Sequence, residues 1–191
     1  MVRACLVDVY DTIITSDFKP RLRALSALAG ADTVAWARQW LTTADERGRG
    51  EISMADSFER TLLGLGIAPV PGLVADLVRM DAELLREGSA LFGDAASFLG
   101  ELRSRGILIA LVSNCSQGTR QMLEHLAVIP LVDAVILSCE VGSLKPSPGI
   151  YRAALTELGV APADAVMIDD QARFCAGARA VSATGGCAAT W

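Results

Sequence analysis

The sequence is poor in the residues that build zinc sites and disulfide frameworks. It contains one histidine, and its five cysteines show no C-x-x-C spacing. A structural zinc site takes closely spaced cysteine and histidine ligands, and a disulfide framework takes an even number of cysteines. We therefore expect five reduced thiols, mostly in or beside the core. The cysteines are Cys5, Cys115, Cys139, Cys175 and Cys187.

Basic runs and long apolar runs are also absent from the sequence. The formal net charge is −5, and no basic stripe is interleaved with aromatic residues, which argues against nucleic acid and anionic membrane surfaces as partners. No run of about 18 apolar residues occurs, and the apolar stretch after Met1 is short and ends at Asp8, unlike a signal peptide. We therefore expect a cytoplasmic protein that acts on a small molecule.

Short apolar segments of strand character recur along the 191 residues, of which 52% are hydrophobic. They cover residues 3–8, 107–113, 134–138 and 165–169, with a weaker one at 186–191. Each interval between them carries a helical pattern, and the longest runs are continuously apolar, as in strands that are covered on both faces. The pattern predicts an α/β fold with a parallel sheet between two layers of helices.

The interval after the first strand is too long for an ordinary connection between a strand and a helix. It reads as helical over residues 21–29, 33–41, 54–65 and 73–85, and Ser53 has the position of a helix N-cap. We therefore predict a helical insertion over residues 16–87 in a core made of residues 1–15 and 88–191. Trp36 and Trp40, four residues apart, are expected to form a packing stripe in this insertion.

Polar residues that can take part in catalysis or ligand binding lie at the ends of the predicted strands. Asp8 ends the first strand, Ser113 and Asn114 end the second, and Asp169 and Asp170 end a late one. The carboxyl ends of strands are where open α/β sheets bind ligands. Between the second and the late strand, the sequence Lys-Pro-Ser-Pro at residues 145–148 precedes a helical pattern.

In this order, the four segments resemble the four motifs of the haloacid dehalogenase-like hydrolase superfamily, over nearly the whole chain. The resemblance implies a Rossmann-like core and a small helical cap that closes over the active site. It implies that Asp8 is a nucleophile that forms a covalent intermediate. It also implies that Ser113 and the amides after Asp8 bind the phosphoryl oxygens, and that Lys145 neutralises the charge on the nucleophile and on the transferring group.

The resemblance further implies a magnesium site and contacts to the substrate. Mg²⁺ would be held by Asp8, Asp169, Asp170 and the backbone carbonyl of Tyr10, an oxygen-only set that suits this ion. The remaining contacts to the substrate would come from the Tyr10 side chain, Asp11, Thr12 and Asn114. Thr12 is expected mainly to stabilise the turn behind Asp8, and for Asn114 ordinary turn chemistry is an equal alternative.

The chain departs from the superfamily pattern in two places. Phosphatases of the superfamily carry an aspartate two residues after the nucleophile, which protonates the leaving group, whereas this chain has Tyr10 there and Asp11 where glycine is usual. The usual general acid is therefore replaced. Phe174 and Cys175 stand where relatives carry Asp or Asn beside the acidic pair, so we expect weaker metal binding than the motif suggests.

Three functions agree with these residues. The sequence favours a Mg²⁺-dependent phosphatase that acts on a small, anionic, phosphorylated metabolite through an aspartyl-phosphate. Tyr10 and Tyr151 are typical of the metal-free 2-haloacid dehalogenases of the superfamily, which makes this reaction the first alternative. Against it, Asp169 and Asp170 beside Asp8 would repel one another without a cation. A binding or regulatory protein that retained only the fold is the second alternative.

Three further residues attract attention without a motif. Arg47 and Arg49 of the insertion would suit an anionic substrate. The favoured interpretation is nevertheless that both are solvated arginines on a loop between helices. His125 follows Met122 and Leu123 on a predicted helix of the core, and we expect it to be structural.

Overall fold

The computed structural model of the protein describes residues 2–181. Its main sheet has four parallel strands in the order β5-β4-β1-β6, and β2 and β3 form a separate antiparallel pair. The four strands predicted for the core are confirmed, each one to two residues shorter than expected. The fifth predicted strand, at residues 186–191, lies outside the described residues. The strands are β1 (Ala4–Val7), β2 (Ile14–Ser16), β3 (Ser89–Leu91), β4 (Leu108–Ser113), β5 (Ala134–Leu137) and β6 (Ala165–Ile168).

Helices cover both faces of the main sheet, which gives the predicted three-layer α/β architecture. Alternate residues of β1 point to opposite faces: Cys5 and Val7 join an apolar cluster with α6 and α7, and Leu6 joins a second cluster with α9 and α10. The helices are α1 (Phe18–Leu28), α2 (Thr33–Leu41), α3 (Ala44–Gly48), α4 (Met54–Gly64), α5 (Pro71–Glu87), α6 (Ala95–Ser104), α7 (Thr119–His125), α8 (Ser138–Val141), α9 (Pro148–Leu158) and α10 (Ala172–Val181). None of the helices within residues 2–181 has the length and apolar character needed to span a membrane.

The helices α1, α2, α4 and α5 share an apolar cluster of their own. The rings of Trp36 and Trp40 are buried and each stacks on Phe58 with centroids 6.1 Å apart, so the predicted packing role of this pair is confirmed. Ser53 is the N-cap of α4, as predicted, and it forms a reciprocal capping box with Asp56.

The polypeptide leaves and re-enters the core through the strand pair β2 and β3. Ser16 pairs with Ser89 at its far end, so the predicted boundaries of the insertion fall at this pair. The division into two domains at residues 16 and 87 stays a prediction. His125 is exposed at the end of α7.

Candidate active site

The carboxyl ends of neighbouring strands bring the predicted polar residues to one edge of the sheet. Val7 of β1 pairs with Ile168 of β6, so Asp8 and Asp169 leave adjacent strands side by side. Ser113 is the last residue of β4, on the other side of β1. This juxtaposition follows from the strand order and the parallel register.

Lys145 reaches the same point from the loop before α9. Its Nζ donates hydrogen bonds to Oδ1 of Asp8 at 2.6 Å and to Oδ2 of Asp169 at 2.7 Å. The lysine side chain is only 1% exposed, and both carboxylates are buried. A buried ammonium is stable only where opposite charge offsets its desolvation. Lys145 therefore depends on the two aspartates and fixes their separation.

Asp170 completes a group of three carboxylates. One oxygen from each of Asp8, Asp169 and Asp170 can be chosen so that all three lie within 4.8 Å of one another. Asp8 and Asp169 are buried, whereas Asp170 is exposed. Burial and the neighbouring charge of Asp169 raise the pKa of Asp170, because nearby negative charges disfavour its ionised form. A divalent cation between the carboxylates would remove this repulsion.

The environment of Asp8 raises the pKa of its carboxyl group but leaves the group ionised at neutral pH. Burial raises the pKa of Asp8 from 3.8 to about 6, against the lowering effect of Lys145, and Asp169 raises it further. A carboxyl with this pKa is mostly ionised at pH 7. Asp8 is therefore a desolvated carboxylate at neutral pH, which is the form that attacks an electrophile.

Two buried hydroxyls beside Asp8 have no hydrogen-bond partner within residues 2–181. They are Oγ of Ser113 and Oγ1 of Thr12. Buried polar atoms are nearly always paired, so an unpaired hydroxyl at a strand end suits a ligand oxygen. The expectation that the Thr12 hydroxyl ties the turn behind Asp8 finds no hydrogen bond to support it.

Asn114 holds the backbone of Lys145. Its Nδ2 donates to the Lys145 carbonyl at 2.9 Å, and its Oδ1 accepts from the Lys145 amide at 2.6 Å. These paired bonds fasten the loop that carries the lysine to the end of β4. Asn114 is thus a positioning residue for Lys145, and its predicted contact with substrate stays a prediction.

The Tyr10 hydroxyl is engaged with a residue that sequence reasoning missed. It lies 3.1 Å from Oγ1 of Thr119, the buried first residue of α7. The Thr119 hydroxyl itself donates to the Ser116 carbonyl at 3.0 Å, so the Tyr10 proton is the one that is shared. Burial raises the pKa of Tyr10 to about 12. The phenol therefore holds its proton tightly.

Phe174 also has a role that the sequence did not reveal. Its ring centroid lies 4.9 Å from Nζ of Lys145, and its carbonyl accepts a hydrogen bond from the Tyr151 hydroxyl at 2.7 Å. A ring face attracts an ammonium. At the position where a carboxylate or amide was expected, this chain thus covers the lysine with an aromatic ring.

Two cavities flank the residues that follow β4. The smaller, of about 280 Å³, is lined by Tyr10, Asp11, Phe18 and Arg21, among others. Asp11 is exposed and adopts a positive φ of 58°, a conformation that glycine adopts freely and aspartate tolerates. Glycine therefore suits this position, and Asp11 lines the smaller cavity.

The larger cavity, of about 540 Å³, is lined by Lys145, Phe174, Arg173 and residues of α3. The interpretation of Arg47 as a solvated loop residue is wrong: Arg47 lies in α3 and is 7% exposed. Its Nη1 donates to the Trp40 carbonyl and to the hydroxyls of Thr43 and Ser57. No carboxylate within the described residues pairs with it, and burial lowers its pKa to about 10.

Arg49 behaves differently from Arg47. Its guanidinium is partly exposed and binds the Glu51 carboxylate, with Nε 2.7 Å from Oε1. Both arginines line the larger cavity. The predicted contact of either with an anionic substrate stays a prediction. Arg49 is bound to a carboxylate, whereas Arg47 makes no salt bridge within residues 2–181 and feels only the charge of Asp81 from a distance.

Known proteins resemble this chain in sequence and in fold. "Phosphatase MT3486" of Mycobacterium tuberculosis is 35% identical over 54% of this chain, and the match spans 48% of the length of that protein. "(S)-2-haloacid dehalogenase 4A" of Burkholderia cepacia is 28% identical over 90% of this chain and 76% of its own length. The fold matches the magnesium and inorganic phosphate complex of HAD family enzyme bt-2542 from Bacteroides thetaiotaomicron, with a TM-score of 0.72, 15% identity, and coverage of 98% of this chain and 93% of that chain.

The family assignment rests on the whole described chain. The model of the haloacid dehalogenase-like hydrolase family matches residues 2–181. That range includes every residue of the site described above, from Asp8 to Asp170. The chain belongs to the haloacid dehalogenase-like hydrolase family.

Proposed function

We propose that the protein is a Mg²⁺-dependent phosphatase that hydrolyses a small phosphorylated metabolite through an aspartyl-phosphate on Asp8. One observation carries the proposal: oxygens of Asp8, Asp169 and Asp170 lie within 4.8 Å of one another beside Lys145. Three carboxylates and one lysine leave an excess of negative charge. A divalent cation would balance that charge and allow an anionic substrate to approach.

The donor set of this site fits magnesium. Asp8, Asp169, Asp170 and the Tyr10 carbonyl offer hard oxygen atoms only, which Mg²⁺ prefers to nitrogen or sulfur ligands. When bound, the ion would screen the negative charges of the nucleophile and the phosphoryl group and orient them. In support, the Bacteroides enzyme of the same fold was crystallised with magnesium and inorganic phosphate.

The attack on phosphorus can be assigned to residues of the site. The Asp8 carboxylate would attack phosphorus and the bond between phosphorus and the leaving-group oxygen would break, while Lys145 and the Ser113 hydroxyl bind the phosphoryl oxygens and replace their hydration by fixed donors. The unpaired Ser113 hydroxyl suits this role because it lacks a partner in the described residues. Asn114 keeps Lys145 in position throughout. Water then hydrolyses the aspartyl-phosphate and regenerates Asp8.

Protonation of the leaving group is the step for which the site offers the least suitable residue. Tyr10 stands at the position of the usual acid, but its hydroxyl contacts Thr119 and its pKa is about 12. Asp11 is the other acid beside this position. We propose that the enzyme favours substrates whose leaving group needs little help, such as aryl or acyl phosphates.

The test combines three variants with two readouts. Asp8→Asn should lose more than nine-tenths of the turnover of p-nitrophenyl phosphate, because the amide is nearly isosteric but is a poor nucleophile. Asp170→Asn should lose activity and also the rise in melting temperature that Mg²⁺ produces in the wild type, since a ligand that binds the folded state stabilises it. Asp94→Asn, on the exposed start of α6, is the matched control and should change neither. Full activity in chelator would overturn the proposal.

A second candidate function is 2-haloacid dehalogenation. Two observations favour it: the Burkholderia dehalogenase matches over 90% of this chain, and Tyr10 occupies the position that would otherwise carry a second acid. The exposed Asp170 beside Asp8 and Asp169 argues against a metal-free site. Release of halide from a 2-haloacid in the presence of chelator, lost in Asp8→Asn, would establish this reaction instead.

A further inference from the structure

Two cysteines meet at the edge of the candidate active site. Sγ of Cys115 lies 3.9 Å from Sγ of Cys139. Cys115 follows Asn114 in the loop after β4, and Cys139 is the second residue of α8, which follows the neighbouring strand β5. Because β4 and β5 are paired, the two sulfurs are brought together by the sheet itself and their contact does not depend on a flexible segment.

The backbone around the two cysteines is fastened on both sides. The Cys115 amide donates to Oγ of Ser138 at 2.9 Å, and the same hydroxyl donates to the Cys115 carbonyl at 3.2 Å. The Ser138 side chain is fully buried. The two segments are thus held in register by a residue next to Cys139, which favours reaction between the sulfurs because little chain freedom is lost when they join.

The pair is also open to small solutes, unlike the cysteines of the core. Cys115 and Cys139 are both half-buried, and Cys115 lines both cavities beside the site. Cys5 and Cys175 are buried in the core. The hydrogen bond between the two thiols lowers the pKa of Cys139, so Cys139 is the better nucleophile of the two.

From this contact we propose that Cys115 and Cys139 are a dithiol oxidation site, which a peroxide converts to a reversible disulfide that disturbs the position of Lys145. The Cys139 thiolate attacks a peroxide oxygen, the O–O bond breaks, and sulfenic acid forms on Cys139. The Cys115 sulfur then attacks the sulfenic sulfur, the S–O bond breaks and the S–S bond forms. The two sulfurs lose two electrons to the peroxide, and the two thiol protons leave in two molecules of water.

The consequence for the active site follows from the distance that must close. A disulfide bond is about 2.0 Å long, so the sulfurs, now 3.9 Å apart, must approach by about 1.9 Å. Asn114, the residue before Cys115, holds the Lys145 backbone through two hydrogen bonds. Movement of Cys115 therefore pulls on the residue that positions the lysine, and an oxidised enzyme would hold Lys145 in a less productive place.

The chemical half of the test needs no activity. Reduced full-length protein is treated with stoichiometric hydrogen peroxide, alkylated and digested without reductant, and the peptides are identified by mass spectrometry. We expect a peptide pair linked through Cys115 and Cys139 that disappears on treatment with dithiothreitol. Recovery of both cysteines as alkylated thiols, or of a disulfide between either one and Cys187, would overturn the proposal, whether or not the protein is a phosphatase.

The functional half compares the wild type with Cys139→Ser. Turnover of p-nitrophenyl phosphate by the wild type should fall about tenfold or more when the disulfide forms, since a displacement of about 1 Å can cost that much, and it should recover with dithiothreitol. Cys139→Ser, outside the catalytic residues, should be as active as the wild type before oxidation and should resist peroxide. If peroxide lowers the turnover of Cys139→Ser as much as that of the wild type, or if the cross-linked wild type keeps full activity, the proposal that the disulfide displaces Lys145 is wrong.

Discussion

At the scale of single residues, the hydrogen bond of the Tyr10 hydroxyl bears on which substrates the proposed phosphatase would hydrolyse well. The phenol points its proton at Thr119, and a general acid must instead share its proton with the leaving oxygen. Tyr10 thus has the sequence position of the usual acid, but its hydroxyl donates its proton to Thr119. In the proposed phosphatase reaction, Tyr10 would stand at the position of the usual acid without sharing its proton with the leaving group.

This contact predicts a dependence of rate on the leaving group. The wild type should hydrolyse aryl phosphates much faster than alkyl phosphates, since a positioned acid is worth about 10²- to 10⁴-fold where the leaving group needs a proton. Tyr10→Asp should narrow the gap by raising the alkyl-phosphate rate, whereas Tyr10→Phe should leave the ratio of the two rates unchanged. The measurement is kcat/KM for both substrate classes. A fall in the alkyl rate alone in Tyr10→Phe would show that the phenol is the acid.

Cys5 predicts how the stability of the protein depends on pH. Burial in β1 raises the pKa of its thiol from 9.0 to about 12. Above pH 9, the unfolded chain loses this proton while the folded chain keeps it, so the unfolded state binds fewer protons and the free energy of unfolding falls as pH rises. Between pH 8 and pH 10, the wild type should lose about 1 kcal/mol more than Cys5→Ala. Urea unfolding of both proteins at the two pH values measures this difference. If the free energy of unfolding falls by the same amount in the wild type and in Cys5→Ala, the prediction is wrong.

The sequence identified the charged residues of the site but not their surroundings. Asp8, Lys145 and Asp169 could be placed together because strand ends in a parallel sheet share one edge. The contacts of Thr119 and Phe174 could not be predicted, since they depend on how α7 and α10 pack onto the loops. The sequence favours a solvated Arg47 because charged residues are rarely buried, but one carbonyl and two hydroxyls accept hydrogen bonds from its guanidinium and allow its burial here.

At the scale of elements, an ion pair joins the first and last helices of the insertion. Arg21 of α1 binds Asp81 of α5 with two hydrogen bonds, Nε to Oδ1 at 2.6 Å and Nη2 to Oδ2 at 2.7 Å. Both side chains are buried, and the guanidinium lies over the ring of Trp40. The pair thus fixes the contact between two helices that are far apart in sequence.

Removal of one partner should be costly because it leaves the other charge buried and unpaired. Asp81→Ala is expected to lower the free energy of unfolding by about 3–5 kcal/mol, whereas the double variant Arg21→Met with Asp81→Leu should recover most of that loss. The control is Glu101→Ala, which breaks the exposed pair with Arg105 and should cost about 1 kcal/mol or less. Urea unfolding followed by tryptophan fluorescence measures all three. Equal losses for Asp81→Ala and Glu101→Ala would contradict the prediction.

Elements with strong local signals were predictable, and short ones were not. Helix α2 occupies the predicted residues, because Asp32 caps it and its apolar positions repeat at helical spacing. The sequence predicts a loop where α3 lies, since this helix has only five residues, ends at Gly48 and is followed closely by Gly50. Strands β2 and β3 have three residues each, too few for alternation to be visible, and they form only because the two ends of the insertion lie together.

At the scale of the whole molecule, the insertion touches the core at a glycine. Gly50 follows α3 with φ of +68°, and a Cβ built on it would lie 2.1 Å from the Cys139 carbonyl oxygen of α8. Only a residue without a side chain allows this approach. The α3–α8 contact borders the larger cavity, whose lining includes both Gly48 and Lys145. Gly50 therefore allows the close approach of α3 to α8, beside other contacts between the insertion and the core such as that of the Met54 amide with Gln117.

Gly50→Ala should move the end of α3 away from the core and weaken substrate binding. Gly30→Ala is a matched control, because Gly30 has φ of +67° and no atom within 4 Å of a built Cβ. Both variants pay about 1 kcal/mol for a left-handed alanine, but only Gly50→Ala must also relieve a clash with backbone. We expect Gly50→Ala to unfold at lower urea than Gly30→Ala and to lose about tenfold in kcat/KM, since a shift of about 1 Å at a site can cost that much. If the two variants lose the same stability and activity, the contact between α3 and α8 does not position the insertion, and closure over Lys145 must depend on other contacts.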